Sequence, residues 1–222
     1  MNLPDPFSLC VALMPLAGYL LLIGGLRLSG RPFVTTSARE AASLGIAVAG
    51  FAAIGPAQLF FPSAAGALFG WRVWFMLAAF YALCVALVSL TTRPRICIHG
   101  LLIDEAFPAV CRAARTMDAD VQTDARGFQI FFPHHGFRFR LDSHPGVDHV
   151  SVIAFEPNVT VGFWFQFLKA IRGEVAQTPV VAGSRGVAMV VAAVLILGFL
   201  LYQAVPNQEL LVEGFRHFLY RE

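Results

Sequence analysis

Apolar positions fall along this chain in two distinct rhythms. Runs that are apolar at nearly every position cover about Leu9 to Leu28, Ala38 to Phe61, Trp71 to Leu90 and Gly186 to Val205. Each is long enough to cross a hydrocarbon layer of ~30 Å as a helix rising 1.5 Å per residue. Between the third and fourth runs the rhythm changes. Phe137, Phe139 and Leu141 alternate with Arg138 and Arg140, the period-two signature of a strand with one covered and one wet face. The expected fold is therefore a membrane all-α part of four transmembrane helices, with an inserted α+β two-layer domain of order β-α-(β)-β-β-β-α. Its segments are 1–92 for the three-helix transmembrane region, 93–181 for the inserted domain, 182–206 for the fourth helix and 207–222 for an amphipathic tail.

Within 93–181 the pattern predicts a strand at Arg95–His99, a helix at Ile103–Met117 and a short strand at Val121–Thr123. A hairpin of Phe128–Phe132 and Phe137–Leu141 follows, turning through Pro133-His134-His135-Gly136, and then a strand at Val150–Phe155. A last helix, Val159–Gln177, spaces Phe163, Trp164, Phe167, Leu168, Ile171 and Val175 into an apolar face broad enough to cover a sheet or touch a bilayer. In the tail, Leu211, Phe215, Phe218 and Leu219 can share one face opposite Glu209, Glu213 and Arg216.

Local signals refine the long runs. Ser37 and Glu40 have capping-box spacing at the start of the second run, after a loop through Arg31-Pro32-Phe33. Ala41, Gly45, Ala49, Ala53 and Ala57 repeat every four residues, a smooth stripe that lets another helix come close. That stripe makes the second run the expected packing hub and a candidate surface for self-association, through Ala41, Gly45, Ala49 and Ala53, or for another membrane protein. Pro15 and Gly55-Pro56 are expected bends. The N-terminal run lacks a preceding basic segment and is read as a retained helix.

Composition agrees with a bilayer as the main partner. Apolar residues make up 57% and charged residues 14%, with mean hydropathy +0.68, against roughly 45–50% and 25% for soluble domains. A net charge of +2 is too small to argue for nucleic acid. Arg27, Arg31 and Arg39 lie in the first loop, Arg93 and Arg95 begin the segment after the third run, and Lys169, Arg172 and Arg185 precede the fourth. The opposite side holds Arg72, Arg216 and Arg221. The positive-inside rule then places 93–181 in the cytosol and both termini outside the bacterial inner membrane.

Candidate chemistry is sparse. Cys10 and Cys84 lie in the apolar runs, Cys97 and Cys111 in the inserted domain, with no zinc or redox spacing. His134, His135, Asp142, His144, Asp148 and His149 crowd one stretch. The hairpin strand of about five to seven residues at ~3.3 Å each separates its two ends by roughly 17–23 Å. Asp142, His144, Asp148 and His149 remain as metal candidates, and the preferred reading is ordinary turn residues. Asp118, Asp120 and Asp124 fail as a calcium loop, because Thr123 and Gln129 stand where Gly and Glu are needed. No phosphate-binding loop, dinucleotide fingerprint or nucleophile elbow is present. No catalytic residue and no cofactor are assigned. Arg138, Arg140, Trp164 and Phe167 are the expected contacts for membrane or partner. The central parts of the long runs carry no Asp, Glu, Lys or His, which argues against a transport path; Gln58 is the deepest polar candidate.

Ser29-Gly30-Arg31-Pro32-Phe33, Gly55-Pro56, Leu59-Phe60-Phe61-Pro62 and Arg93-Pro94-Arg95 together resemble a family of small multi-pass membrane proteins from planctomycete bacteria that have no assigned function. The likeness covers mainly the first 100 residues and implies nothing about activity. The expectation is a membrane-tethered sensing, scaffolding or interaction module. A transporter or channel subunit and a membrane-bound enzyme are the alternatives.

Overall fold

The computed structural model describes residues 5–56, 69–144, 148–178 and 185–220. Ala57, Gln58 and the rest of the expected second run, to Phe61, lie outside them, as does the Leu219 side chain. Among the described residues the elements run α1 (Pro6–Leu28), β1 (Phe33–Thr36), α2 (Ser37–Ile54), α3 (Arg72–Thr91), β2 (Arg95–His99) and α4 (Ile103–Met117). They continue with β3 (Gln122–Asp124), β4 (Gln129–Phe132), β5 (Phe137–Ser143), β6 (His149–Ala154), α5 (Val161–Val175), α6 (Arg185–Ala204) and α7 (Gln208–Tyr220). The chain divides into two compact units: Met1–Gly25 with Ala41–Thr91 and Arg185–Glu222, and Leu26–Glu40 with Thr92–Ser184.

The helical unit holds the apolar runs. Four helices are long and apolar enough to cross a membrane by length and composition: Pro6–Leu28, Ser37–Ile54, Arg72–Thr91 and Gly186–Ala204. They leave large apolar side chains outward, among them Leu22, Ile46, Phe80, Leu83 and Leu195, each more than 60% exposed. Such exposure is costly in water and ordinary against lipid. Small residues bring the helices together. A Cβ on Gly45 would meet the Val85 side chain at 2.7 Å, and one on Gly50 would meet the backbone of Val11 and Ala12. Tyr81 Oη donates to the Gly45 carbonyl at 2.7 Å. Gly45, part of the four-residue stripe, is thus taken up by α3 of the same chain. In α7, the Phe218 ring stacks on Trp74 at 4.0 Å and meets Phe7 at 5.5 Å.

The second unit is built on a six-stranded antiparallel sheet of order β1-β2-β6-β5-β4-β3. Ile96, Ile98, Val150, Val152, Leu141, Phe139, Ile130 and Phe132 form one buried core with residues of α4 and α5. Burying a side chain such as Phe132 contributes ~1.5–3 kcal/mol, and its ring meets Phe139, Phe163 and Phe167 edge-on. Helix α4 starts where the Glu105 carboxylate accepts from the Leu102 amide at 3.0 Å. Helix α5 starts where Thr160 accepts from the Phe163 amide. Arg112 and Glu174 join the two helices at 2.9 Å.

The sequence pattern did not include β1. Phe33–Thr36, expected as loop, pairs antiparallel with β2 over four residues, Phe33 opposite His99 and Thr36 opposite Ile96. Leu26–Glu40 therefore belongs with the sheet, which the 93–181 boundaries omit. Ser37 and Glu40, expected to cap each other, serve the sheet: Ser37 Oγ donates to the Arg93 carbonyl at 2.9 Å, and Glu40 meets a histidine of β2. Arg172 of α5 reaches the Val34 carbonyl at 3.4 Å. The turn after β2 needs Gly100, whose φ is +91° and whose missing Cβ would meet Pro32 at 3.4 Å.

Candidate functional site

Strand alternation splits the sheet into two faces. In β2, Ile96 and Ile98 enter the core, which puts Arg95, Cys97 and His99 on the other face. In β6, Val150 and Val152 enter the core, which puts His149 and Ser151 beside them. The register completes the arrangement: His99 lies opposite His149 and Cys97 opposite Ser151. Phe33 of β1 lies opposite His99, and its ring stacks on the imidazole at 4.5 Å with planes 13° apart.

Onto this face comes Glu40, three residues into α2. Its Oε1 lies 2.6 Å from His99 Nε2 and 3.6 Å from His149 Nε2. A carboxylate only accepts, so the imidazole of His99 donates there. A carboxylate oxygen of Glu40, the Cys97 sulfur and a His149 ring nitrogen lie within 4.8 Å of one another. Cys97 is fully buried. Burial pushes its thiol up to about 12, and the Glu40 carboxylate beside it adds to the rise, over the opposing effects of Ser151 and Arg95. The thiol is thus neutral and donates to Glu40. His99 Nδ1 is buried with no hydrogen-bond partner among the described residues. Glu40 and His149 remain about 28% and 30% exposed at their side chains, so the cluster is reachable from outside. A carboxylate, a thiol and two imidazoles held this closely can exchange protons or hold a cation.

Of the four metal candidates drawn from the sequence, the structure brings His149 alone into this cluster. Asp148 pairs with Arg27 at 3.5 Å, and its carbonyl accepts from the Gly100 amide. Asp142 is exposed, opposite Ser151, with its carboxylate 4.0 Å from Arg140. His144 borders an open cleft of about 750 Å³ with Arg126, Arg140 and Asp142. These neighbours in sequence thus have different partners.

The expected contact residues divide. Arg138 and Arg140 are exposed on the face away from the core, with Arg138 over the Phe131 ring at 5.5 Å. Phe167 is fully buried and Trp164 packs edge-on against Phe139 at 5.5 Å. The apolar face of α5 packs on the sheet, with Trp164 left partly exposed, and its outward large apolar residues are Val161 and Phe165.

A second group joins the β4–β5 turn to the end of α4. His134 Nδ1 lies 3.0 Å from Asp118 Oδ1, and Asp118 also accepts from the Asp120 amide at 3.0 Å. Comparison with known families, curated proteins and solved structures finds no significant match.

Glu40, Cys97 and His99 were missed from sequence. The alternation Arg95-Ile96-Cys97-Ile98-His99 already puts Cys97 and His99 on one face, and His149-Val150-Ser151-Val152 does the same for His149. Glu40 leaves no such local signal, since its partner is 59 positions away.

The Asp118–His134 pair generates a pH prediction. The hydrogen bond to Asp118 and the negative charge behind it hold His134 above its ordinary 6.5. The Asp120 amide first, and His134 next, hold Asp118 below the usual carboxylate range. The histidine's contribution to stability is therefore fully present below its unfolded value and is lost as pH rises through the raised folded value. Asp118's contribution is lost as pH falls through its lowered one. Proton NMR titration of the imidazoles should show His134 titrating above 6.5 and falling back in Asp118→Asn; no change on that substitution would contradict the pairing.

Proposed function

We propose that this protein is a multi-pass membrane protein of the bacterial inner membrane whose sheet-bearing unit is a cytosolic sensing or interaction module. The observation that carries this reading is connectivity. The chain passes between the two units at Gly25/Leu26, Glu40/Ala41, Thr91/Thr92 and Ser184/Arg185. Each passage falls at one end of a different span-length helix. All four helices are thus joined directly to one folded unit. If they cross a bilayer, those four ends lie on the same side, and the basic residues gather there.

Glu40 gives this connectivity a mechanism. It belongs to the first turn of α2, and the carboxylate that touches His99 and His149 is therefore on the same helix as the small-residue stripe. A ligand or partner that changes the polar cluster changes the constraint on that turn. Differential interaction with two arrangements of one element is what a sensor requires. The central parts of the spans carry no Asp, Glu, Lys or His, which favours a sensing role over solute transport.

Topology is tested by thiol labelling in intact bacteria with a membrane-impermeant reagent. The native cysteines lie in span-length helices or are buried, so background is low. Glu209→Cys should label from outside, and Asp120→Cys should label only after the cells are opened; the reverse pattern would contradict the orientation. Coupling is tested in lipid vesicles with paired spin labels at Ile46 and Leu87, both outward on their helices. His99→Ala should shift the measured distance distribution. An unchanged distribution would argue for a passive tether.

A further inference from the structure

We propose that Glu40, Cys97 and His149 are a binding site for a divalent transition-metal cation of the zinc class, with His99 orienting the carboxylate. All of these residues belong to the unit formed by Leu26–Glu40 and Thr92–Ser184. The inference therefore stands whether or not the other unit spans a membrane.

Ligand chemistry comes first. One carboxylate, one thiol and one imidazole are the donor types of zinc sites that keep a fourth position open. The sulfur selects against calcium and magnesium, which take oxygen ligands. The Glu40 and His149 side chains are partly exposed while Cys97 is fully buried. A cation can thus enter past the first two and meet the sulfur at the back.

Distances then assign the roles. Zinc–ligand bonds of ~2.0–2.3 Å in a tetrahedron put neighbouring donor atoms about 3.3–3.8 Å apart. The Glu40 Oε1 to His149 Nε2 separation is 3.6 Å, the edge of such a tetrahedron. The Glu40 Oε1 to His99 Nε2 separation is 2.6 Å, too short for two atoms sharing one metal and right for a hydrogen bond. His99 therefore acts as the outer partner that fixes the carboxylate, as donors behind metal ligands commonly do. The stacked Phe33 ring holds the imidazole plane in place. Cys97 and His149 both sit on paired strands, β2 and β6, so their spacing is set by the sheet register. On binding, the cation comes from the medium, a metal–sulfur bond forms, and the Cys97 proton leaves to solvent.

The other converging group of this kind among the described residues is Asp118, Asp120 and His134. It has no soft ligand, and Asp118 already accepts from the Asp120 amide and pairs with His134; it carries no such inference.

The test uses the full-length chain in detergent, stripped of metal by a chelator and titrated with cobalt(II). The expected result is one equivalent bound, with a sulfur-to-cobalt charge-transfer band in the near ultraviolet that zinc displaces. Cys97→Ser should abolish the band, while Cys111→Ser and Cys84→Ser should keep it. His99→Gln should keep the band and weaken affinity by ~10–100-fold, the usual effect of losing an outer partner. Circular dichroism reports folding for each variant, and His149→Ala supplies a second ligand deletion should Cys97→Ser not fold. A folded wild-type chain that shows no band, or a band that survives Cys97→Ser, would overturn the proposal.

Discussion

The pairing of β1 onto β2 is the interaction on which the rest depends. It spans only four residues on each strand, yet it converts the segment between α1 and α2 from a connector into the edge of a sheet. Ser37 closes the corner by donating to the Arg93 carbonyl, and Arg172 holds β1 from the helical side. Once β1 is in register, α2 has to start at the sheet. Glu40 is then carried to the face that bears His99 and His149. Without that pairing the carboxylate would have no reason to be near either imidazole.

The polar cluster follows from this geometry and from the cost of burial. A carboxylate removed from water is tolerated only when its oxygens are hydrogen-bonded. Glu40 meets that condition by accepting from the His99 imidazole at 2.6 Å and from the Cys97 thiol, with the His149 imidazole nearby at 3.6 Å. The same groups that satisfy a half-buried anion are donors a soft cation would recognise. Structural support and ligand binding are therefore two uses of one arrangement, and the donor separations rather than the residue types tell them apart. Because Glu40 lies in the first turn of α2, either use places a constraint on a helix of membrane-spanning length.

Much of the fold was legible because its signals are local. The strand Arg95–His99 and the helix Ile103–Met117 stand at the expected positions. Period-two alternation in Phe137–Leu141 marked the strand β5 and its two faces. What escaped depends on partners distant in sequence. Phe33–Thr36 is short, follows Arg31-Pro32 and precedes a capping pattern, so nothing nearby distinguishes it from a loop. Its strand character comes from β2, more than fifty positions on. The polar residues show the same dependence on distant partners. Asp142, His144, Asp148 and His149 are close in sequence, and the structure gives them different partners. Cys97 and His149 are far apart in sequence and share a cluster. Phe167 shows a further ambiguity, since a broad apolar helix face suits a sheet and a bilayer equally until the sheet is seen to cover it.

Hydrogen exchange on the full-length chain, read by mass spectrometry for the peptide containing Phe33–Thr36, tests the central claim most directly. If β1 completes the sheet, the amides that this edge strand directs toward β2 exchange far more slowly than those of an open loop, while Arg95–His99, paired on both sides, is protected throughout. Exchange at the rate of an open loop, with Arg95–His99 still protected, would contradict the account.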